Sequence, residues 1–270
     1  MDRSEYYQYY QANLDLLSLE IEHVKKETQH MIGKKAWQVE AQLDANQIAK
    51  TEKEIKACTR LFSFLVCSWF EARLMKILCE NSSAAFTDGE INSIKRKSTM
   101  ELKWQSCFNM AVCKAYGFTY MDNHNYCANF APNSVELSNY SDICVFFNDI
   151  RDAITIRNRL AHGQWDFQFN SEGTNLVQYS FLDIYDNVQK LDILKQCYSE
   201  IAEIINSYVV YKDKRNPNFN KQIRDRICSV KNKQTRIQRV DYQKYALGLG
   251  KKYKKRQEFY KSMKSKEDGN

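Results

Sequence analysis

The sequence predicts a mostly α-helical protein: a four-helix bundle with a β-hairpin insertion, an N-terminal helical extension and a basic C-terminal extension. Three observations carry this. Pro and Gly are scarce, 2 and 8 among 270 residues, which favours helix over loop. Apolar residues recur at helical spacing in several long stretches. One region alone, GQWDFQF followed by NLVQYSF, alternates around Asn170-Ser171-Glu172-Gly173 in the manner of a hairpin. A chain of 270 residues is long enough to bury a full core. The expected division is 1–54 for the N-terminal helical extension, 55–211 for the helical domain and 212–270 for the basic extension.

Taken in order, residues 13–32 form an amphipathic helix with Leu14, Leu17, Ile21 and Val24 on one side, interrupted by Gly33, Lys34 and Lys35. A second helical stretch runs from Trp37 to Glu80. Its second half, LFSFLVCSWFEARLMKIL, is apolar nearly all round, as a central core helix is. Glu71 and Arg73 are the only charges between Leu61 and Met75. Buried charges are usually paired. Glu71 therefore either reaches solvent, Arg73 or a lysine, or crosses the bundle to Arg157. Thr87-Asp88-Gly89-Glu90 and Ser98-Thr99-Met100-Glu101 read as capping boxes. They start helices over 88–97 and 99–116, the latter ended by Gly117. Residues 118–138, rich in Asn, Tyr and Ser, read as loop, with His124 as a surface histidine. A helix over 140–162 and, after the hairpin, one over 184–211 complete the bundle. The last has Val188, Leu191, Leu194, Tyr198, Ile201 and Ile205 facing inward.

The 140–162 stretch carries the chemistry. Ile143, Phe146, Phe147, Ile150, Ile154 and Leu160 make its apolar stripe. Arg151, Thr155, Asn158 and His162 make a polar one, so Asn158 and His162 share a face. Gly163 is placed as the C′ cap. Arg157 falls seven residues after Ile150, on the apolar stripe, where a lone guanidinium would cost several kcal/mol. It needs a carboxylate, an interface cleft or a phosphate. Arg157 and His162 lie about 140° apart on an ideal helix, but a long Arg stem lets both tips reach one anion.

Arg157-Asn158-Arg159-Leu160-Ala161-His162 resembles the R-(polar)-x-x-x-H motif of HEPN domains, small helical domains found in many RNA-cleaving toxins and defence proteins. The resemblance covers residues 55–211 at most. It implies a metal-independent endoribonuclease, a toxin or phage-defence effector, with no cofactor. It further implies a homodimer in which two motifs face each other across one cleft, and it leaves room for an antitoxin or regulatory partner. RNA supplies its own nucleophile, the 2′-OH. His162 would move a proton as general base or acid, and Arg157 would hold the phosphoryl oxygens through parallel hydrogen bonds. Asn158 would position His162 or the phosphate, with Glu71 and Arg151 in support. Two alternatives stand beside this. Arg157 and His162 are also well placed as cations at a helix C-terminus. And HEPN folds without activity exist, so a non-catalytic RNA-binding or adaptor protein carries the same sequence features.

The net charge of +7 hides an asymmetry. Lys212 to Lys266 holds 19 Lys or Arg against 4 Asp or Glu, while the rest of the chain holds 21 against 29. An acidic body with a basic tail points to an anionic polymer. Aromatics between the bases, among them Tyr242, Tyr245, Tyr253 and Phe259, suit stacking on unpaired nucleotides. Arg236, Arg239, Lys251, Lys252, Lys254, Lys255 and Arg256 are the expected RNA-contacting bases. The other reading of this tail is a solvated, partly disordered one. Nine cysteines show no C-x-x-C pair and read as reduced thiols. With no signal-peptide pattern in MDRSEYYQYY and no apolar run long enough to span a bilayer, a cytoplasmic protein without a membrane partner is expected.

Overall fold

A computed structural model describes residues 2–81, 85–122, 124–169, 174–177, 184–210 and 217–267. The protein is mostly α-helical. Helix α1 spans Arg3–Glu40 and α2 spans Ala45–Leu78, packed side by side. Gly33 does not interrupt α1 as expected; it is buried within it. The turn between the two helices, with Gln42 at φ 52°, ends at Asp44, whose carboxylate accepts from the Asn46 and Gln47 amides and caps α2. From Thr59 onward α2 is the core helix, with Phe62, Val66, Phe70, Leu74 and Leu78 buried.

Helix α3 (Asp88–Lys95) starts at the capping box formed by Thr87 and Glu90. The second expected box does not form. Helix α4 (Met100–Tyr116) is capped by Thr99, whose hydroxyl accepts from the Leu102 amide, and Glu101 is drawn instead to Arg151. Gly117, at φ 73°, ends α4 in the left-handed region. The expected loop over 118–138 contains a 3-10 turn, Tyr126–Asn129, and the start of α5 (Val135–Cys144), capped by Ser134.

The expected continuous helix over 140–162 is broken. Its parts are α5, a 3-10 turn at Phe147–Ile150, and α6 (Ala153–Ala161). The physical reason lies in the carbonyls. A break leaves backbone acceptors without helical donors, and buried acceptors must be satisfied. The Tyr198 hydroxyl donates to the Phe146 carbonyl at 2.8 Å and the Tyr185 hydroxyl to the Asp149 carbonyl at 3.1 Å. Two buried tyrosines thus take over the bonds a continuous helix would have made.

Strands β1 (Gln168–Phe169) and β2 (Leu176–Val177) pair antiparallel, with Gln168 opposite Val177. This two-residue pairing does not by itself make the expected hairpin, since its turn and flanks, 170–173 and 178–183, lie outside the described residues. Helix α7 (Val188–Val210) buries all six positions expected to face inward and packs on α2 and α4. Among the described residues, no helix is long and apolar enough to cross a membrane.

The basic segment forms two helices, α8 (Pro217–Gln238) and α9 (Tyr242–Glu267). Residues 217–238 and 242–267 are helical, with α8 docked on the core and the C-terminal part of α9 largely exposed. Phe219, Ile223, Ile227 and Val230, spaced four, four and three residues apart, are fully buried where α8 lies against α5 and α7. Helix α9 runs parallel to α1: Gln29 bonds Tyr245, Gly33 meets Leu249, Gly250 meets Ala36 and Lys254 pairs with Glu40.

Candidate active site

The motif lies on α6, a short helix held against α2 by Ala153, Ile156 and Leu160. Its end is a Schellman motif. Gly163 at φ 75° donates to the Leu160 carbonyl at 3.2 Å, and Gln164 donates to the Arg159 carbonyl at 3.0 Å. The Trp165 indole N–H also takes the Leu160 carbonyl, at 2.9 Å. Gly163 thus occupies the expected C′ position. His162 becomes the C-cap residue, its backbone fixed by a bond to the Asn158 carbonyl at 3.0 Å and its imidazole exposed.

Arg157 flanks the buried side of α6 and is half-buried. Because the helix is broken before Ala153, Arg157 does not continue one helical line from Ile143. Its Nη1 donates to the Glu71 carboxylate on α2, so the sharper of the two arrangements open to Glu71 is the one adopted. Arg73, the other charge on that stretch, pairs with Glu203 instead. The remaining side of the guanidinium is held by Asn158, whose Oδ1 accepts from Arg157 Nε at 3.3 Å and Nη2 at 3.0 Å. Asn158 therefore braces Arg157, not His162. Three of the five guanidinium N–H groups are engaged, and two have no partner among the described residues. Behind the pair, Cys67 is fully buried; burial pushes its thiol pKa well up, against the pull of the Arg157 charge. A buried, protonated thiol is inert.

Arg151 stands apart from this arrangement. It is exposed and donates from Nε to Glu101 at 2.9 Å on α4; that bond raises its pKa.

The bases of the C-terminal segment divide into three groups. On α8, Arg224 and Lys231 pair with Asp142, and Arg226 and Lys233 with Glu200, so two carboxylates offset half of this charge within the fold. Arg236 and Arg239 border a shallow cleft of about 330 Å³ with Lys244 and Tyr245. On α9, Lys252 and Arg256, one turn apart, line a groove of about 440 Å³ with His23, Lys26 and His30 of α1. Tyr253 forms its wall, 5.2 Å from the His30 ring and 5.6 Å from Trp37. Lys254 is paired with Glu40, and Lys251 and Lys255 are exposed. Of the seven expected RNA-contacting bases, four therefore line one or other of these two clefts.

A second cleft, of about 480 Å³, opens beside Glu71 and includes Lys95 and Lys103. Sequence reading passed these lysines over. The available signal was weak: Lys103 stands one turn before the buried Cys107, at the edge of the buried side of α4.

The chain matches none of the known protein-family models, curated proteins or solved structures with which it was compared.

Proposed function

We propose that this protein is a metal-independent endoribonuclease of HEPN-like type, acting as a toxin or defence effector. In this reading, the fold is a HEPN-like bundle with a hairpin insertion between α6 and α7. The observation that carries it is the pairing of Arg157 with Glu71 and Asn158 on the same short helix that ends in an exposed His162. An arginine fixed on two sides and open on the rest is suited to stabilising an oxyanion without reorganising. An exposed imidazole at the end of the same helix is suited to general acid or base work. The 2′-OH attacks phosphorus as the P–O5′ bond breaks, leaving a 2′,3′-cyclic phosphate and a 5′-hydroxyl. His162 takes the 2′-OH proton or protonates the leaving 5′-oxygen, water exchanging the other proton, and Arg157 meets the charge that develops on the phosphoryl oxygens.

In the same reading the protein works as a homodimer. Each subunit presents the C-terminal end of α6 to the other, and two Arg157–His162 sets line one cleft. Arg157 has a carboxylate within its own chain, so the interface is not required to neutralise it; what motivates the dimer is the exposure of His162 and the family resemblance.

The test is cleavage of mixed cellular RNA by purified protein in the presence of a chelator. Cleavage by wild type and its loss in both Arg157→Ala and His162→Ala, with helicity unchanged, is the expected result. Undiminished cleavage by His162→Ala protein rules the enzyme out. Binding of RNA without cleavage by the wild type favours the non-catalytic reading.

A further inference from the structure

The cleft beside Glu71 draws walls from four helices: Tyr10 from α1, Glu71 and Leu74 from α2, Ile94 and Lys95 from α3, and Lys103 from α4. Its volume of about 480 Å³ falls within the roughly 300–1,000 Å³ of sites that enclose small ligands. The apolar floor still accessible is half-buried Ala72 and Met75 of α2, Leu74 and Ile94 being closed off.

Its charges do not balance. The Glu71 carboxylate is taken by Arg157. Lys95 stands exposed at the mouth. Lys103 is half-buried, and no carboxylate among the described residues pairs with its ammonium. Desolvation alone lowers its pKa, with no opposing charge to restore it. A partly buried cation without a counter-charge is costly, and a bound anion relieves that cost.

Two simple ligands fit poorly. Inorganic phosphate satisfies the lysines but leaves the apolar floor bare. A purely apolar molecule covers the floor but strips more water from Lys103. A ligand with a flat, largely apolar body and one phosphate satisfies both.

We infer that this cleft binds a nucleoside monophosphate unit, its phosphate on Lys103 and Lys95 and its base and ribose over Ala72 and Met75 beside Tyr10. The source of that unit rests on the ribonuclease reading: a ligand here lies one carboxylate away from Arg157, where an RNA nucleotide next to the cleaved bond would sit. A free nucleotide presents the same chemistry.

The experiment is calorimetric titration of the full chain with the four nucleoside 5′-monophosphates, inorganic phosphate and adenosine. At least one nucleotide binds, and phosphate and adenosine each bind tenfold or more weakly. Lys103→Met, close in volume to lysine, weakens nucleotide binding tenfold or more, and Lys103→Arg retains it. Lys103→Met melts at or above the wild-type temperature, which separates loss of the site from loss of the fold. No binding by any nucleotide, or equal binding by wild type and Lys103→Met, overturns the inference. A cleavage assay then assigns the source. A nucleotide that raises KM for RNA at constant kcat marks a substrate subsite; one that alters kcat or has no effect marks a site for free nucleotide. Lys103-dependent nucleotide binding by a protein that cuts no RNA keeps the cleft and removes the ribonuclease reading. Cleavage without nucleotide binding does the reverse.

Discussion

The contact between α1 and α9 supplies a test with opposite signs at two glycines. A Cβ added at Gly33 would lie 2.8 Å from the Leu249 carbonyl oxygen, 3.1 Å from its carbon and 3.3 Å from Tyr253 Cβ. The first two atoms are backbone, so α9 itself must move. A Cβ added at Gly248 meets nothing within 4 Å. Both positions are in helix interiors. Gly→Ala there stabilises by roughly 1 kcal/mol through propensity alone. At Gly248 nothing opposes that gain, so Gly248→Ala should stabilise by up to about 1 kcal/mol. At Gly33 the overlap costs about 1–3 kcal/mol, as overpacking does, and leaves the variant neutral to about 2 kcal/mol less stable. Gly33→Val enlarges the overlap and should lie further down. Chemical denaturation gives the two free energies, and limited proteolysis reports whether α9 has lifted from α1. Gly33→Ala and Gly248→Ala stabilising equally, with α9 equally protected, would refute the close parallel docking of the two helices.

Four other predictions follow from the same geometry. Glu71→Gln removes the charge that faces Arg157 while keeping its shape. The pair is part-exposed, so stability should fall by about 1 kcal/mol or less, whereas single-turnover RNA cleavage should fall tenfold or more if Arg157 must be held in place. Deleting 212–270 should cost most of the stability, because it removes the four fully buried side chains of α8 and exposes the faces of α5 and α7 they cover, and a thermal melt will show it. Lys252→Glu with Arg256→Glu should leave the melt unchanged and lower the slope of log Kd for RNA against log salt by about 2, read by titration at several salt concentrations. Burial raises the Asp149 pKa above its ordinary 3.8, opposed by the Gln234 hydrogen bond. Folding then disfavours the charged form, so this group's favourable contribution is complete below pH 3.8 and is lost as pH rises through the folded pKa. Asp149→Asn should therefore be more stable than wild type at pH 7, with the difference vanishing near pH 3 in urea titrations.

The sequence alone determined whatever is local in cause. Helix content followed from spacing. The α3 capping box followed from Thr87 and Glu90, and the ends of α4 and α6 from Gly117 and Gly163. The inward face of α7 followed from six apolar positions at helical intervals. Each depends on interactions within a turn or two of chain, and residue order specifies those. Only the tertiary structure decided what depends on distant partners. The break between α5 and α6 follows from two tyrosine hydroxyls contributed by residues 185 and 198. Gly33 reads locally as a helix breaker, yet its role is to admit another backbone more than two hundred residues away. The bases of α8 look like a free polycation in sequence, but four of them pair with Asp142 and Glu200, which offset half of that charge. The readings left open for Glu71 could be separated only by the packing of α6 and α7 on α2, which brings Arg157 to Glu71 and Glu203 to Arg73. Charge pairing is set by distance in space, and a linear pattern carries that distance only within one helix.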